Sequence, residues 1–166
     1  WKKDSIASYN TNCAAYTYIP DDKFEAELIK LGYDNGALDN YVLTSNIQNI
    51  TFIDIDSLNI TDLTGIEDFV NLDSLDCSHN QLYNLDVSKL TKLQKLDCSS
   101  DSLVDLNLKN GTNPIFQHMN ALGNNKLKCI QVDDVAEAST KPGWFKETPA
   151  FYNIACISDK TYIPDD

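Results

Sequence analysis

Leucine and its apolar substitutes return every 21 residues through the middle of this chain. In 72–92 (LDSLDCSHNQLYNLDVSKLTK) the apolar slots are Leu72, Leu75, Cys77, Leu82, Leu85 and Val87. In 93–111 (LQKLDCSSDSLVDLNLKNG) they recur as Leu93, Leu96, Cys98, Leu103, Leu106 and Leu108. One turn earlier Ile50, Ile53, Ile55, Ile60 and Leu63 fill the same slots at a 22-residue offset. Met119, Ala121, Asn124 and Leu127 mark a degraded fourth turn. A unit this short cannot bury its own apolar row, so successive units must stack. Leu75 and Cys77, like Leu96 and Cys98, alternate as strand residues do, pointing inward while the residue between them points out. The form L-x-x-L-x-L/C-x-x-N-x-L is the leucine-rich repeat. The expected fold is a short leucine-rich-repeat solenoid of three to four turns of 21–22 residues, with a parallel β-strand in each turn. Asn80 and Asn124 sit where an amide would satisfy backbone groups as the chain bends inside the coil. Leu58 and Asp101 occupy that slot in the other turns.

Both ends of so short a stack need covers. At the N-terminal end, PDDKFEAELIKLGYDNG (20–36) predicts a helix. Asp22 is the expected N-cap, with Glu25 completing a capping box. Phe24, Leu28 and Leu31 form its buried face, and Gly32 ends it. At the other end, CIQVDD (129–134) reads as a last edge strand, and 134–144 as a loop or short helix. Trp144, Phe151 and Tyr152 are the expected apolar lid.

A second, longer period frames the first. Thr17-Tyr18-Ile19-Pro20-Asp21-Asp22 reappears as Thr161-Tyr162-Ile163-Pro164-Asp165-Asp166, 144 residues on. Upstream of each copy Trp1 matches Trp144, Lys3 matches Lys146, Ala7 matches Ala150, Tyr9-Asn10 matches Tyr152-Asn153, and Cys13 matches Cys156. This is a domain-length spacing. It predicts a tandem array: 1–16 as the tail of a preceding module, 17–160 as a full module, and 161–166 as the start of the next. Within the module, 17–46 is the helical N-terminal cap, 47–128 the repeats and 129–160 the C-terminal cap.

Charge excludes one large class of function. There are 25 acidic residues against 13 basic ones, a net charge of −12, and every basic residue is lysine. Nucleic-acid binding needs a basic footprint, so none is expected. No apolar run is long enough to span a bilayer, and no membrane insertion is expected.

The segments TYIPDDKFEAELIKLGYDNGALDNYVLTSNI, ITDLTGIEDFVNL, SLDCSHNQLYNLDVSKLTKLQKLDCSS and KLKCIQVDD, followed by Trp144 and Cys156, carry a family likeness. Over 17–160 the chain resembles secreted leucine-rich-repeat proteins of flavobacteria and other Bacteroidota. The resemblance implies a module of a long cell-surface protein exported by the type IX secretion route and serving adhesion or interaction. It implies no enzymatic activity. The chain departs from the family in its shorter turn and in carrying Asp101 where asparagine is usual.

Five cysteines is an odd number. Cys129 and Cys156 flank the closing segment and are expected to form a disulfide, giving a disulfide-closed C-terminal cap. Cys13, the counterpart of Cys156, would then pair outside the chain. Cys77 and Cys98 share an inward slot and are expected as buried free thiols. Parallel strands in register aim both side chains the same way, which suits a bridge between them badly. The alternative is that all five are reduced. With no C-x-x-C, and with His79 and His118 far apart in sequence, no confident metal site is expected.

Asp54, Asp76, Asp97 and Asn120 occupy the outward slot of successive turns and form the candidate binding face. Phe52, Ser74, Lys95, Ser78, His79 and Ser100 are expected beside them. Stacked like charges cost stability, which a cation or a partner's lysine would relieve; the plainer reading is a solvated face whose carboxylates bond their neighbours. A regular ladder offers no pocket to split two carboxyl pKa values, so no catalytic residues are expected. Ser5, Ser57, Ser74 and Ser102 each follow Asp and precede Ile or Leu. That resembles the Bacteroidota O-glycosylation signal and makes them candidate acceptors. Asn49, Asn59 and Asn110 have the form of N-linked acceptors and are expected to be empty. Asp21, Asp22, Asp133 and Asp134 are a weak calcium candidate at the module junctions, and no other cofactor is expected.

Three functions follow. The first is a non-catalytic extracellular adhesion or recognition module, its partners being neighbouring modules and a protein or glycan ligand. The second is a spacer in a semi-rigid stalk or filament. The third is an accessory domain of a secreted hydrolase.

Overall fold

The computed structural model describes residues 15–156. The tails 1–14 and 157–166, with Ser5, Cys13 and both outer module segments, lie outside the described residues. In chain order the elements are β1 (Tyr16–Tyr18), α1 (Asp22–Lys30), β2 (Tyr41–Leu43), α2 (Thr44–Ile47), β3 (Phe52–Asp54), β4 (Ser74–Asp76), β5 (Asn84–Asp86), β6 (Lys95–Asp97), β7 (Asp105–Asn107), β8 (His118–Asn120), β9 (Cys129–Gln131), α3 (Val135–Thr140), β10 (Trp144–Phe145) and β11 (Phe151–Asn153).

Two parallel sheets form the walls of a leucine-rich-repeat solenoid. The first runs β3-β4-β6-β8-β10 and the second β5-β7-β9-β11. Ile53, Leu75, Leu96, Met119 and Trp144 stack in register through the first sheet. Leu85, Leu106, Ile130 and Tyr152 stack through the second. The sequence repeat marks the first strand of each turn. The second strand, centred on Leu85 or Leu106, is as short as the first and adds a strand where one per turn is expected. There are five coils where the repeat marks three to four. The fifth places Trp144 and Tyr152 inward in place of aliphatic residues, so it carries no leucine signature. Cys129–Gln131, read as an edge strand, is instead flanked by β7 and β11.

The core is one continuous apolar cluster from Ile19 and Phe24 at one end to Trp144 and Ala150 at the other. Asparagine supports it from within. Asn80 Oδ1 accepts from the N–H groups of Leu58 and Ile60, while its Nδ2 donates to the carbonyls of Ile55, Cys77 and Ser78. Asn124 Oδ1 accepts from Leu103 N–H, and its Nδ2 donates to Cys98 and Ala121. Each amide thus ties its own coil to the one before. The residue just before this slot, Ser57, His79, Ser100 or Gly123, has positive φ in each of the first four coils. At Gly123 the space is also tight, since a Cβ would stand 2.9 Å from backbone atoms of Ser100.

Asp101 occupies the same buried slot between the two asparagines. Its Oδ1 accepts from Leu82 N–H as an asparagine would. Its Oδ2 is buried without a hydrogen-bond partner among the described residues, because a carboxylate has no hydrogen to donate. Burial pushes this carboxyl up to about 6, against the opposing effects of the Leu82 N–H and nearby His79.

The N-terminal cap differs from expectation in detail. The helix N-cap is Asp21, whose Oδ1 accepts from Lys23 and Phe24 N–H; Asp22 is the first helical residue. Glu25 forms no capping box. It is buried, and its carboxylate accepts the N–H groups of Asp39 and Asn40, pinning the loop that leads into β2. Phe24 and Leu28 are buried but Leu31 is exposed, because the helix has already turned toward Gly32 with its φ of 79°. The antiparallel pair β1–β2, whose strands are joined through α1, lies on the first coil, where Thr17 Oγ1 donates to Asp68. Gly65 allows this approach: a Cβ there would meet Tyr18 O at 2.6 Å.

At the far end Trp144 is buried, Tyr152 is half-buried and Phe151 is exposed, so the expected lid is two residues rather than three. Cys129 and Cys156 form a disulfide that closes a 27-residue separation.

Two stability outcomes are expected. Asp101→Asn restores the missing donor, and at pH 7 it is expected to raise unfolding free energy in urea by about 1–2 kcal/mol. The folded carboxyl binds its proton more tightly than the unfolded one, so its cost is absent below pH about 4 and complete above about 6. The advantage of the variant should therefore vanish on acidification through that window; a pH-independent gain would contradict the assignment. Cys129→Ser with Cys156→Ser is expected to cost about 3–4 kcal/mol, from the entropy of a loop of this length.

Candidate functional site

The outward side of the first sheet gathers the candidate face. Asp54 pairs with Asp76, Asp76 with Asp97, and Asp97 with Asn120. Phe145 of β10 extends the row beyond Asn120. The parallel row carries Phe52, Ser74, Lys95 and His118. The His118 and Phe145 rings meet edge to face at 5.8 Å. Among the expected neighbours, Ser78 is buried and off the face, while His79 and Ser100 are exposed at the turn beyond it.

One oxygen of each aspartate is committed locally. Asp76 Oδ1 accepts from Ser78 N–H and Oγ, Asp97 Oδ1 from Ser99 N–H and Oγ, and Asp54 Oδ1 from Asp56 N–H. These are Asx turns, which bend the chain out of the strand. The second sheet repeats the device: Asp86 accepts from Ser88 N–H and Asn107 from Lys109 N–H. The aspartate slot is thus first a turn element, which explains its recurrence without a ligand. The other oxygens differ from rung to rung. Asp97 Oδ2 accepts from Asn120 Nδ2 at 3.0 Å, whereas Asp54 and Asp76 have no hydrogen bond to Oδ2 among the described residues. At Asp54 the Asp56 N–H acts to lower the carboxyl pKa, but burial and the charges of Asp56 and Asp76 together leave it raised.

Other candidate positions sit apart from this face. Cys77 and Cys98 are buried and free; their thiols donate to the carbonyls of Asp97 and Asn120 in the next coil. Burial pushes both thiols well up, which makes them poor nucleophiles. Ser57 and Ser102 are exposed, and Ser74 is half-buried on the sheet face. Asn49 and Asn59 are exposed; Asn110 is buried and donates to Leu90 O.

One aspartate of each pair, Asp21 and Asp134, is a helix N-cap. Asp21 Oδ2 accepts from the Thr61 N–H and hydroxyl and from Asp62 N–H, locking α1 to the first coil. Burial acts to raise this carboxyl, but the bonds from Thr61, Phe24 and Lys23 outweigh it and hold it below the usual range. Asp22 is exposed, Asp133 accepts from Gly111 N–H, and Asp134 N-caps α3. Among the described residues no group of three or more His, Cys, Asp or Glu side chains is arranged to hold a metal ion. Nor is any helix among them long and apolar enough to cross a membrane.

No protein-family model matches this chain, and no curated protein matches it. Solved structures do. The functional domain of InlJ from Listeria monocytogenes, which includes a cysteine ladder, is 16% identical with a TM-score of 0.46; the match covers 89% of this chain and 45% of that one. The internalin InlF from Listeria monocytogenes is 18% identical with a TM-score of 0.48, covering 77% and 36%. The CBM51-2 and INT domains of Clostridium perfringens ZmpB are 24% identical with a TM-score of 0.47, covering 61% and 22%. The chain spans less than half the length of each. Its structural neighbours therefore include Listeria internalins, and no catalytic family is among these matches.

Proposed function

We propose that the chain is a non-catalytic extracellular recognition module of a tandem-repeat surface protein, and that the outward face of the first sheet is its contact surface. The observation that carries this reading is the row Asp54, Asp76, Asp97 and Asn120, aligned in register beside Phe52, Lys95 and His118. The Oδ2 atoms of Asp54 and Asp76 are not used by the described fold, and stacked carboxylates are relieved by a cation brought from outside. The partner chemistry that fits is a protein surface bearing lysine or arginine among apolar side chains. The disulfide supports an oxidising compartment. The exposure of Ser57 and Ser102 supports glycan attachment there. A secretion route of type IX and a Bacteroidota source rest on the resemblance alone.

A second reading has its own support. Cys156 and Thr161 are five residues apart, too few for a flexible tether between modules. This favours a spacer in a semi-rigid stalk, and recognition and spacing are compatible in one chain.

The test of recognition is the triple variant Asp54→Asn, Asp76→Asn, Asp97→Asn. Asparagine still accepts the turn hydrogen bonds, so the melting temperature should stay within about 3 °C or rise. Adhesion of cells displaying the protein, or pull-down of its surface partner, should fall at least tenfold. Unchanged adhesion with an intact fold would remove this face from consideration. Glycan attachment is read separately: intact mass should drop on chemical deglycosylation, and Ser57→Ala with Ser102→Ala should reproduce much of that drop.

A further inference from the structure

The two ends of the solenoid are finished differently. At the C-terminal end β10 and β11 are the outermost strands of their sheets, and no described strand pairs with their outer edges. Trp144 and Tyr152, with ring centroids 5.8 Å apart, floor a cleft of about 280 Å³ walled by Ala138 and Ser139 of α3. Lys146 reaches over the Tyr152 ring at 5.4 Å. Trp144, Ala138 and Ala150 are buried here, while Tyr152 stays half-buried at the cleft. At the N-terminal end the β1–β2 strand pair faces the first coil with Thr17 and Val42, both buried. It turns Tyr16, Tyr18 and Tyr41 the other way, 60%, 49% and 48% exposed, with the Tyr18 and Tyr41 rings 5.4 Å apart. A clustered aromatic face of this kind marks a contact surface.

We propose that the C-terminal end of one module is the seat for the tyrosine face of the N-terminal β1–β2 strand pair of the next, a second copy of this chain's own module. The proposal rests on the tandem reading above and adds the interface. Its argument is in the residues beyond the disulfide. Thr17–Asp22, which supplies part of one strand of that pair and the Asp21 cap, is repeated as Thr161–Asp166. The disulfide fixes Cys156 to β9, and the six residues from there to Tyr162 reach no farther than about 20 Å. A tether this short keeps the start of a following module within reach of this end of the stack. Strand edges there offer backbone groups, and tyrosine brings an apolar ring with a polar tip, suited to a half-wet contact. The joint is head-to-tail, so it propagates as a rod rather than closing into a dimer.

The test compares the 166-residue chain with a chain carrying 17–160 twice in continuous register. Docking predicts that the two-copy chain scatters X-rays as a rod of one length and melts several degrees above the single copy. Tyr18→Ser and Tyr41→Ser in the second copy should abolish that gain, yet shift the 166-residue chain by less than about 2 °C, the side chains being exposed there. A spread of end-to-end lengths with unchanged melting would overturn the docking. Should the double substitution unfold a single copy, scattering by the unsubstituted two-copy chain still decides. The mass of the native surface protein separates the two ideas. A single-module mass refutes the array whatever the two-copy chain does, whereas a multi-module mass with a flexible two-copy chain refutes only the joint.

Discussion

The inward row of each coil has no cover except the coil beside it. Leu75 touches Ile53 on one side and Leu96 on the other, and each of those depends on its neighbour in turn. Stability is therefore a sum of contacts between neighbours, and the terminal coils need something other than another coil. At one end that is a helix locked on by Asp21; at the other it is a coil of aromatic residues tied by a disulfide.

The asparagine slot shows how polar groups are handled inside such a stack. Asn80 and Asn124 work because an amide both donates and accepts, and the bend offers both kinds of backbone group. Asp101 keeps half of that function and leaves an oxygen stranded. The price is local, since the apolar row on either side is intact. A chain built from many near-identical units tolerates a fault in one of them more readily than a single-layered core would.

Much of this was legible in the residues, and the limits are physical. The first sheet and its register could be read because apolar slots recur at a fixed offset over three turns, which also placed Asp54, Asp76 and Asp97 in one row. The second sheet could not: Leu85 and Val87 recur as Leu106 and Leu108 at the same offset, but the repeat form assigns one strand to each turn and leaves these slots without one. The fifth coil escaped because Trp144 and Tyr152 do the work of leucine. Asp22 was favoured over Asp21 because adjacent aspartates are equivalent to any local rule; only the Thr61 contact, 40 residues away, selects between them. Glu25 falls under the same limit, since its partners lie in a loop 14 residues on rather than in its own helix. The aspartate row itself has two explanations, and the Asx turns repeated on the second sheet explain why its periodicity alone did not choose between them.

The disulfide also decides how this chain would carry tension. Hydrogen bonds between coils run along the stack, so a pull on the last strand would open them one after another, like a zip. Cys156 lies just past that strand, and Cys129 begins the strand before it. Force entering through Cys156 passes directly to Cys129, and the 26 residues between them are shielded from the load. The final coil becomes a slack covalent loop, and the first hydrogen bonds to feel the pull are those between β7 and β9, deep in the stack.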